Sequence, residues 1–144
     1  MFETASGQAG VDSVAAAPWI LVIEDDVDIR ESLEELLSEA GYRVRVAADG
    51  LQALAVLGAG ATPTLILLDL MMPNMDGVGF RSRQLEDPRL RDVPVILLTA
   101  DSRPTPLDYL PSLRKPFDWE DLLGVVATVL GSQETPVAAP APLA

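Results

Sequence analysis

Six residues, met in a fixed order along the chain, carry groups that could act together: Glu24, Asp25 and Asp26, then Asp69, then Thr99, then Lys115. Carboxylates drawn to one place repel each other, so some must hold a proton or share a cation. The chain has no histidine and no cysteine, which leaves oxygen ligands and selects a hard ion, Mg²⁺ or Mn²⁺. An aspartate beside such an ion, with an amine and a hydroxyl nearby, can accept a phosphoryl group: the carboxylate is a competent nucleophile, and the neighbours neutralise the transferring oxygens. Each residue alone has an ordinary role. Asp69 can cap a turn, Thr99 can end a strand and Lys115 can sit in solvent. Their conjunction, in this order, favours the functional reading.

Positioning these groups requires particular elements. Trp19-Ile20-Leu21-Val22-Ile23, Leu65-Ile66-Leu67-Leu68 and Val95-Ile96-Leu97-Leu98 are unbroken apolar runs, the signature of strands buried on both faces of a parallel sheet. They end on Glu24-Asp25-Asp26, on Asp69 and on Thr99. Ile29, Leu33, Leu36, Leu37 and Ala40 recur at helical spacing, with Asp26 or Asp28 as the cap and Gly41 as the stop. Tyr42, Val44 and Val46 alternate with Arg43 and Arg45, predicting a half-exposed strand at the sheet edge. Leu51, Leu54 and Leu57 predict a short helix after Asp49-Gly50. Pro73, Asn74, Asp76 and Gly77 form a turn after Asp69, and Phe80 and Leu85 predict a helix beyond it. Asp118 to Asp121 opens a last helix along Leu122, Leu123, Val126 and Leu130, which Gly131 is expected to stop. Strand alternating with helix predicts an α/β fold, a doubly wound five-stranded parallel sheet of order 2-1-3-4-5. In that order the first and third strands are neighbours at the switch point, where ligands bind.

Composition narrows the choice. With 144 residues the chain makes one domain plus tails: a flexible leader over 1–17, a folded domain over 18–131 and a disordered Ala/Pro tail over 132–144. Ten basic against 22 acidic residues give a formal charge of −12, which repels a phosphate backbone. Nucleic acid and anionic membrane are therefore not expected as partners. The apolar runs are too short to span a bilayer, and Met1-Phe2-Glu3-Thr4 lacks the basic start of a signal peptide. A cytoplasmic location fits.

Several stretches together resemble the receiver domain of the bacterial two-component response regulators, the CheY-like family. They are Val22-Ile23-Glu24-Asp25-Asp26, Leu68-Asp69-Leu70-Met71-Met72-Pro73-Asn74-Met75-Asp76-Gly77, Pro94-Val95-Ile96-Leu97-Leu98-Thr99-Ala100 and Lys115-Pro116-Phe117. The resemblance covers roughly residues 18 to 131. It implies that Asp69 takes a phosphoryl group from a histidine kinase or phosphotransfer protein. It also implies that Asp25 binds Mg²⁺ directly, that Glu24 acts largely through water and that Met71 offers its backbone carbonyl. Thr99 and Lys115 match the family's phosphate-binding hydroxyl and amine. Met71 and Asp101 match positions that tune hydrolysis of the acyl phosphate. With no output domain after Gly131, signalling by docking onto an unidentified downstream protein is expected.

Two departures from the family pattern stand out. The switch aromatic three residues before the lysine is replaced by Ser112, for which Tyr109 substitutes if the backbone shifts. Between Thr99 and Lys115, where the family fits a loop, a helix and a strand, this chain has only Ala100 to Arg114, with Pro104, Pro106 and Pro111. With a last strand near Tyr109 to Leu113, roughly nine residues remain, spanning about 30 Å when extended against a strand of about 20 Å. The fourth helix is therefore expected to be shortened or missing, replaced by an extended crossover. Apolar surface near Leu107, Tyr109 and Leu110 would be bared, and the family's usual pairing surface lost.

Other classes fit less well. A Mg²⁺-dependent aspartyl-phosphate phosphatase of the haloacid dehalogenase type needs a second aspartate where Met71 stands. A flavin-binding module needs a phosphate loop where Glu24-Asp25-Asp26 would repel one. A pseudo-receiver that works by binding alone, without phosphorylation, stays open because of the short crossover.

Overall fold

The computed structural model describes residues 19–100 and 103–133, the side chains of 132 and 133 excepted. The expected leader, most of the expected tail and Asp101 lie outside the described residues. Five strands, β1 (Trp19–Ile23), β2 (Arg43–Ala47), β3 (Leu65–Asp69), β4 (Val95–Thr99) and β5 (Ser112–Arg114), form one parallel sheet of order β2-β1-β3-β4-β5. Among the described residues there are four helices: α1 (Val27–Glu39), α2 (Gly50–Gly58), α3 (Gly77–Glu86) and α4 (Trp119–Gln133). Register across the centre pairs Val22 with Leu67 and Asp69 with Leu98.

Alternation along the strands sends successive side chains to opposite faces. Ile20, Val22, Leu65, Leu67, Ile96, Leu98 and Leu113 pack beneath α1 and α4, against Leu33, Leu37, Leu122, Val126 and Leu130. Leu21, Ile23, Ile66, Leu68, Val95 and Leu97 pack on the other face with Ala53 and Leu57 of α2 and Phe80 of α3. An aspartate opens every helix: Asp26 accepts from the backbone N–H groups of Asp28 and Ile29, Asp49 from Gln52, Asp76 from Gly79 and Asp118 from Asp121. Each cap satisfies N–H groups that have no partner inside the helix and is worth about 1 kcal/mol. Four of the 22 acidic residues thus have a structural role. Gly41, at φ 102°, ends α1 as its sequence position implied. Gly77 begins α3 so close to β3 that a Cβ there would lie 2.8 Å from the carbonyl oxygen of Asp69.

Several expectations need correction. The last strand starts at Ser112, not near Tyr109, because Thr105 to Leu110 is spent on tight turns: Asp108 N–H bonds to Thr105 O and Leu110 N–H to Leu107 O. The crossover is accordingly turned, not extended, though it holds no helix among its described residues 103–111. Nor is the sheet face bared there. Leu107 is only 4% exposed and joins the core beside α3, with Leu110 packed against it, while Tyr109 is 63% exposed. Leu107, with Leu110 packed against the same cluster, covers this part of the face without a helix. In α2 the inward residues are Ala53 and Leu57 with Leu51 exposed, and in α3 they are Phe80 and Gln84 with Leu85 exposed. Gln84 is buried without cost because its amide donates to the carbonyls of Leu90 and Val93 and its oxygen accepts from Arg81. Gly131 does not stop α4, which runs on to Gln133.

Candidate phosphoacceptor site

The carboxyl ends of β1, β3, β4 and β5 converge on a cleft of about 230 Å³ lined by the acids, Thr99 and Lys115. Carboxylate oxygens of Glu24, Asp25 and Asp69 lie within 4.8 Å of one another. The sheet's pleat explains which groups meet. Glu24 continues the row Ile20–Val22, Asp69 the row Leu65–Leu67, and Lys115 follows Leu113; all three rows belong to the face beneath α1 and α4. The ladder persists one residue past the strands, Glu24 N–H bonding to Ala47 O and Lys115 N–H to Thr99 O.

Lys115 Nζ lies 2.8 Å from Glu24 Oε1 and 3.4 Å from Asp69 Oδ1. Glu24 is fully buried, and its second oxygen accepts the backbone N–H of Asp26 at 3.1 Å. Its Oε2 is thus held by a hydrogen bond, while the buried Oε1 is met only by the ion pair with Lys115 and accepts no hydrogen bond of good geometry. Asp25 is exposed and Asp69 buried. Met71, the next loop residue but one, donates its N–H to Asp69 Oδ1 at 3.4 Å and leaves its side chain 64% exposed. Thr99 sits at the rim of the same cleft, half-buried. Ser112 begins β5 exposed. Tyr109 is turned to α3, its hydroxyl accepting from Arg81 Nε at 3.0 Å while the guanidinium lies 5.6 Å from the ring centroid.

The electrostatics follow from this crowding. Burial, the adjoining Asp25 carboxyl and the charge of Glu24 push the Asp69 carboxyl up to about 8, and Lys115 opposes them only in part. For Lys115, burial alone would lower the ammonium, but the carboxylates of Glu24 and Asp69 outweigh it and hold the group above its ordinary value. One amine against three acids leaves negative charge uncompensated. A divalent cation bound by oxygen would compensate it, so the residues present fit such an ion.

The sequence singled out every residue in this cluster. It did not foresee how Glu24 divides its two oxygens, nor that the Lys115–Pro116 peptide is cis. It also treated Asp49 and Asn74 only as turn formers, whereas they bond to each other across 25 residues of sequence.

The comparisons agree with the geometry. Residues 20–127 match the family of the response regulator receiver domain. The DNA-binding dual master transcriptional regulator RpaA of Synechocystis is 40% identical over 124 residues, covering 78% of this chain and 49% of that protein. Response regulator MprA of a Mycobacterium species is 41% identical over 120 residues, covering 77% of this chain and 50% of that protein. The chain thus spans about half the length of these curated relatives. Among solved structures, the chemotaxis protein CheY4 of Vibrio cholerae superposes with a TM-score of 0.71 at 30% identity, covering 78% of this chain and 98% of that one. The receiver domain of the sensor histidine kinase PA1611 from Pseudomonas aeruginosa, with magnesium coordinated in its active-site cleft, gives 0.71 at 28% identity, covering 80% and 98%. The fold is CheY-like, and this chain belongs to the response regulator receiver family of two-component signalling, a receiver domain and not a classical enzyme.

Proposed function

We propose that Asp69 is the phosphoacceptor of a two-component relay, taking its phosphoryl group from a phosphohistidine on a histidine kinase or phosphotransfer protein. In the transfer an Asp69 carboxylate oxygen attacks phosphorus, the P–N bond to the donor imidazole breaks as the P–O bond forms, and the imidazole leaves with the electron pair. Asp25, Asp69 and the Met71 carbonyl would hold Mg²⁺ directly and Glu24 through water, the last in keeping with its full burial and its ion pair with Lys115. Bound Mg²⁺ would supply positive charge to the crowded acids and to the transferring oxygens. Lys115, already 3.4 Å from Asp69, adds a second positive charge beside the acceptor, and Thr99 offers a hydroxyl at the same rim.

The observation that carries this reading is the meeting of three carboxylates with the half-buried amine of Lys115 where the carboxyl ends of the strands converge. Signalling then proceeds by docking of protein on protein. An apolar groove of about 490 Å³ between α1 and Pro116, Phe117 and Trp119 opens beside Lys115 and supports that mode. A pseudo-receiver would have no use for so complete an acceptor set. The test is intact mass after incubation with Mg²⁺ and a small phosphodonor. Wild type should gain one phosphoryl group and Asp69→Asn none; equal labelling of both would place the acceptor elsewhere.

A further inference from the structure

The loop of residues 71–76 leaves the acceptor strand, passes Met71 beside Asp69 and returns to open α3. Its far end is tied down where Gly77 N–H bonds to Leu70 O at 2.9 Å. Its tip reaches across to the connection between β2 and α2. Asn74, in the left-handed conformation at φ 66°, donates its side-chain amide to Asp49 Oδ2 at 2.7 Å. Beside this bond Gly50 N–H donates to the Met75 carbonyl at 3.2 Å. A Cβ at Gly50 would stand 2.7 Å from Met75 Cγ, so the two connections touch without spare room.

Asp49 is itself held firmly. Its Oδ1 accepts the Gln52 N–H at 2.8 Å, and Gln52 Oε1 in return accepts the Ala48 N–H at 2.9 Å, a reciprocal cap at the start of α2. The bonds from Gln52 and Asn74 keep the Asp49 carboxyl below its usual range. An ionised acceptor makes the bond to Asn74 charge-assisted. Capping a helix requires only one side-chain oxygen, and serine, threonine or asparagine would provide it. The bland reading of Asp49 as a cap leaves its second oxygen without a purpose. That oxygen is spent on the tip of the loop that carries Met71.

We propose that Asp49, acting through Asn74, is a positioning residue for the Asp69 site: it fixes the loop that brings the Met71 backbone to the acceptor carboxylate, and so sets the cation affinity of the cleft. This inference rests on the phosphoacceptor reading for its purpose, while the coupling between Asp49 and Met71 can be measured without it.

The full chain is compared with Asn74→Ala, Asn74→Asp and the exchanged pair Asp49→Asn with Asn74→Asp. Asn74→Ala should raise the Mg²⁺ Kd, read by calorimetry, about 10-fold, as loss of an outer partner does at metal sites. Asn74→Asp, which sets two carboxylates face to face, should raise it further. The exchanged pair restores one donor and one acceptor and should return Kd to within about threefold of the parent. In cation-free protein the Met71 amide resonance should move in Asn74→Ala while those of β1 stay in place. An unfolding midpoint that drops with Kd and the Met71 resonance unchanged would overturn the proposal and leave Asp49 a helix cap. So would an exchanged pair that folds but shows no recovery. A parent chain that binds no Mg²⁺, with the Met71 resonance still responding, would overturn the cation reading and leave the loop coupling standing.

Discussion

The two faces of the sheet are covered by different means. One lies beneath α1 and α4, helices of 13 and 15 residues that bury Leu33, Leu37, Leu122, Val126 and Leu130. The other lies beneath α2 and α3, of nine and ten residues, and borrows Leu90, Val93 and Leu107 from connecting segments. The acids and the amine prolong the strand rows of the first face, whereas the shortened crossover falls on the second. The difference teaches where this fold tolerates loss. A turned crossover can stand in for a helix on the face that does not carry Asp69, Glu24 and Lys115, with residues such as Leu107 and Leu110 closing the core there.

The largest effects should come from probing that contrast directly. Leu122→Ala on α4 removes a fully buried side chain held between a long helix and the sheet, and should cost about 4 kcal/mol. Leu107→Ala should cost about 2 kcal/mol, because a loop settles into a cavity more readily than a helix does. Denaturant unfolding of both variants measures this, and equal losses would erase the distinction between the faces.

Next in size is a pH effect confined to the first face. With Asp69 held at about 8 in the fold and near 3.9 in the unfolded chain, the folded state binds the extra proton between those values. The contribution of Asp69 to stability is then full below the lower value, declines as pH rises and is lost above the upper one. Cation-free wild type should therefore lose roughly 10 °C of melting temperature between pH 5 and pH 8, and Asp69→Asn should lose less. Identical profiles would mean that the acids are not crowded as described.

The smallest effect sharpens the description of the second face. Tyr109→Phe removes the hydroxyl bonded to Arg81 but keeps the ring beneath the guanidinium. It should cost about 0.5 kcal/mol and speed hydrogen exchange over residues 103–111 while leaving α4 unchanged. Faster exchange across both regions would show that the two faces do not open separately.

The first face and the site were legible because their signals are local. Strands β1, β3 and β4 are continuous apolar runs, and Glu24, Asp69 and Thr99 each mark where such a run ends. Long-range contacts were not legible. Tyr109 and Leu110 look like strand residues, yet the turns closed by Asp108 and Leu110 claim them first. Leu107 reads as a loop residue and is core. Gln84 shows the same limit: it breaks the apolar period of α3, and only the carbonyls of Leu90 and Val93 make its burial intelligible.

The close fit of Gly77 against the Asp69 carbonyl has a mechanical consequence. Only hydrogen separates the acceptor's own peptide from the first turn of α3, so nothing compressible lies between them. Were Asp69 to take the proposed phosphoryl group, any shift of its backbone would bear on the base of that helix, which also carries Arg81 and its bond to Tyr109. The place where a single added methyl group would disturb that contact most is Gly77.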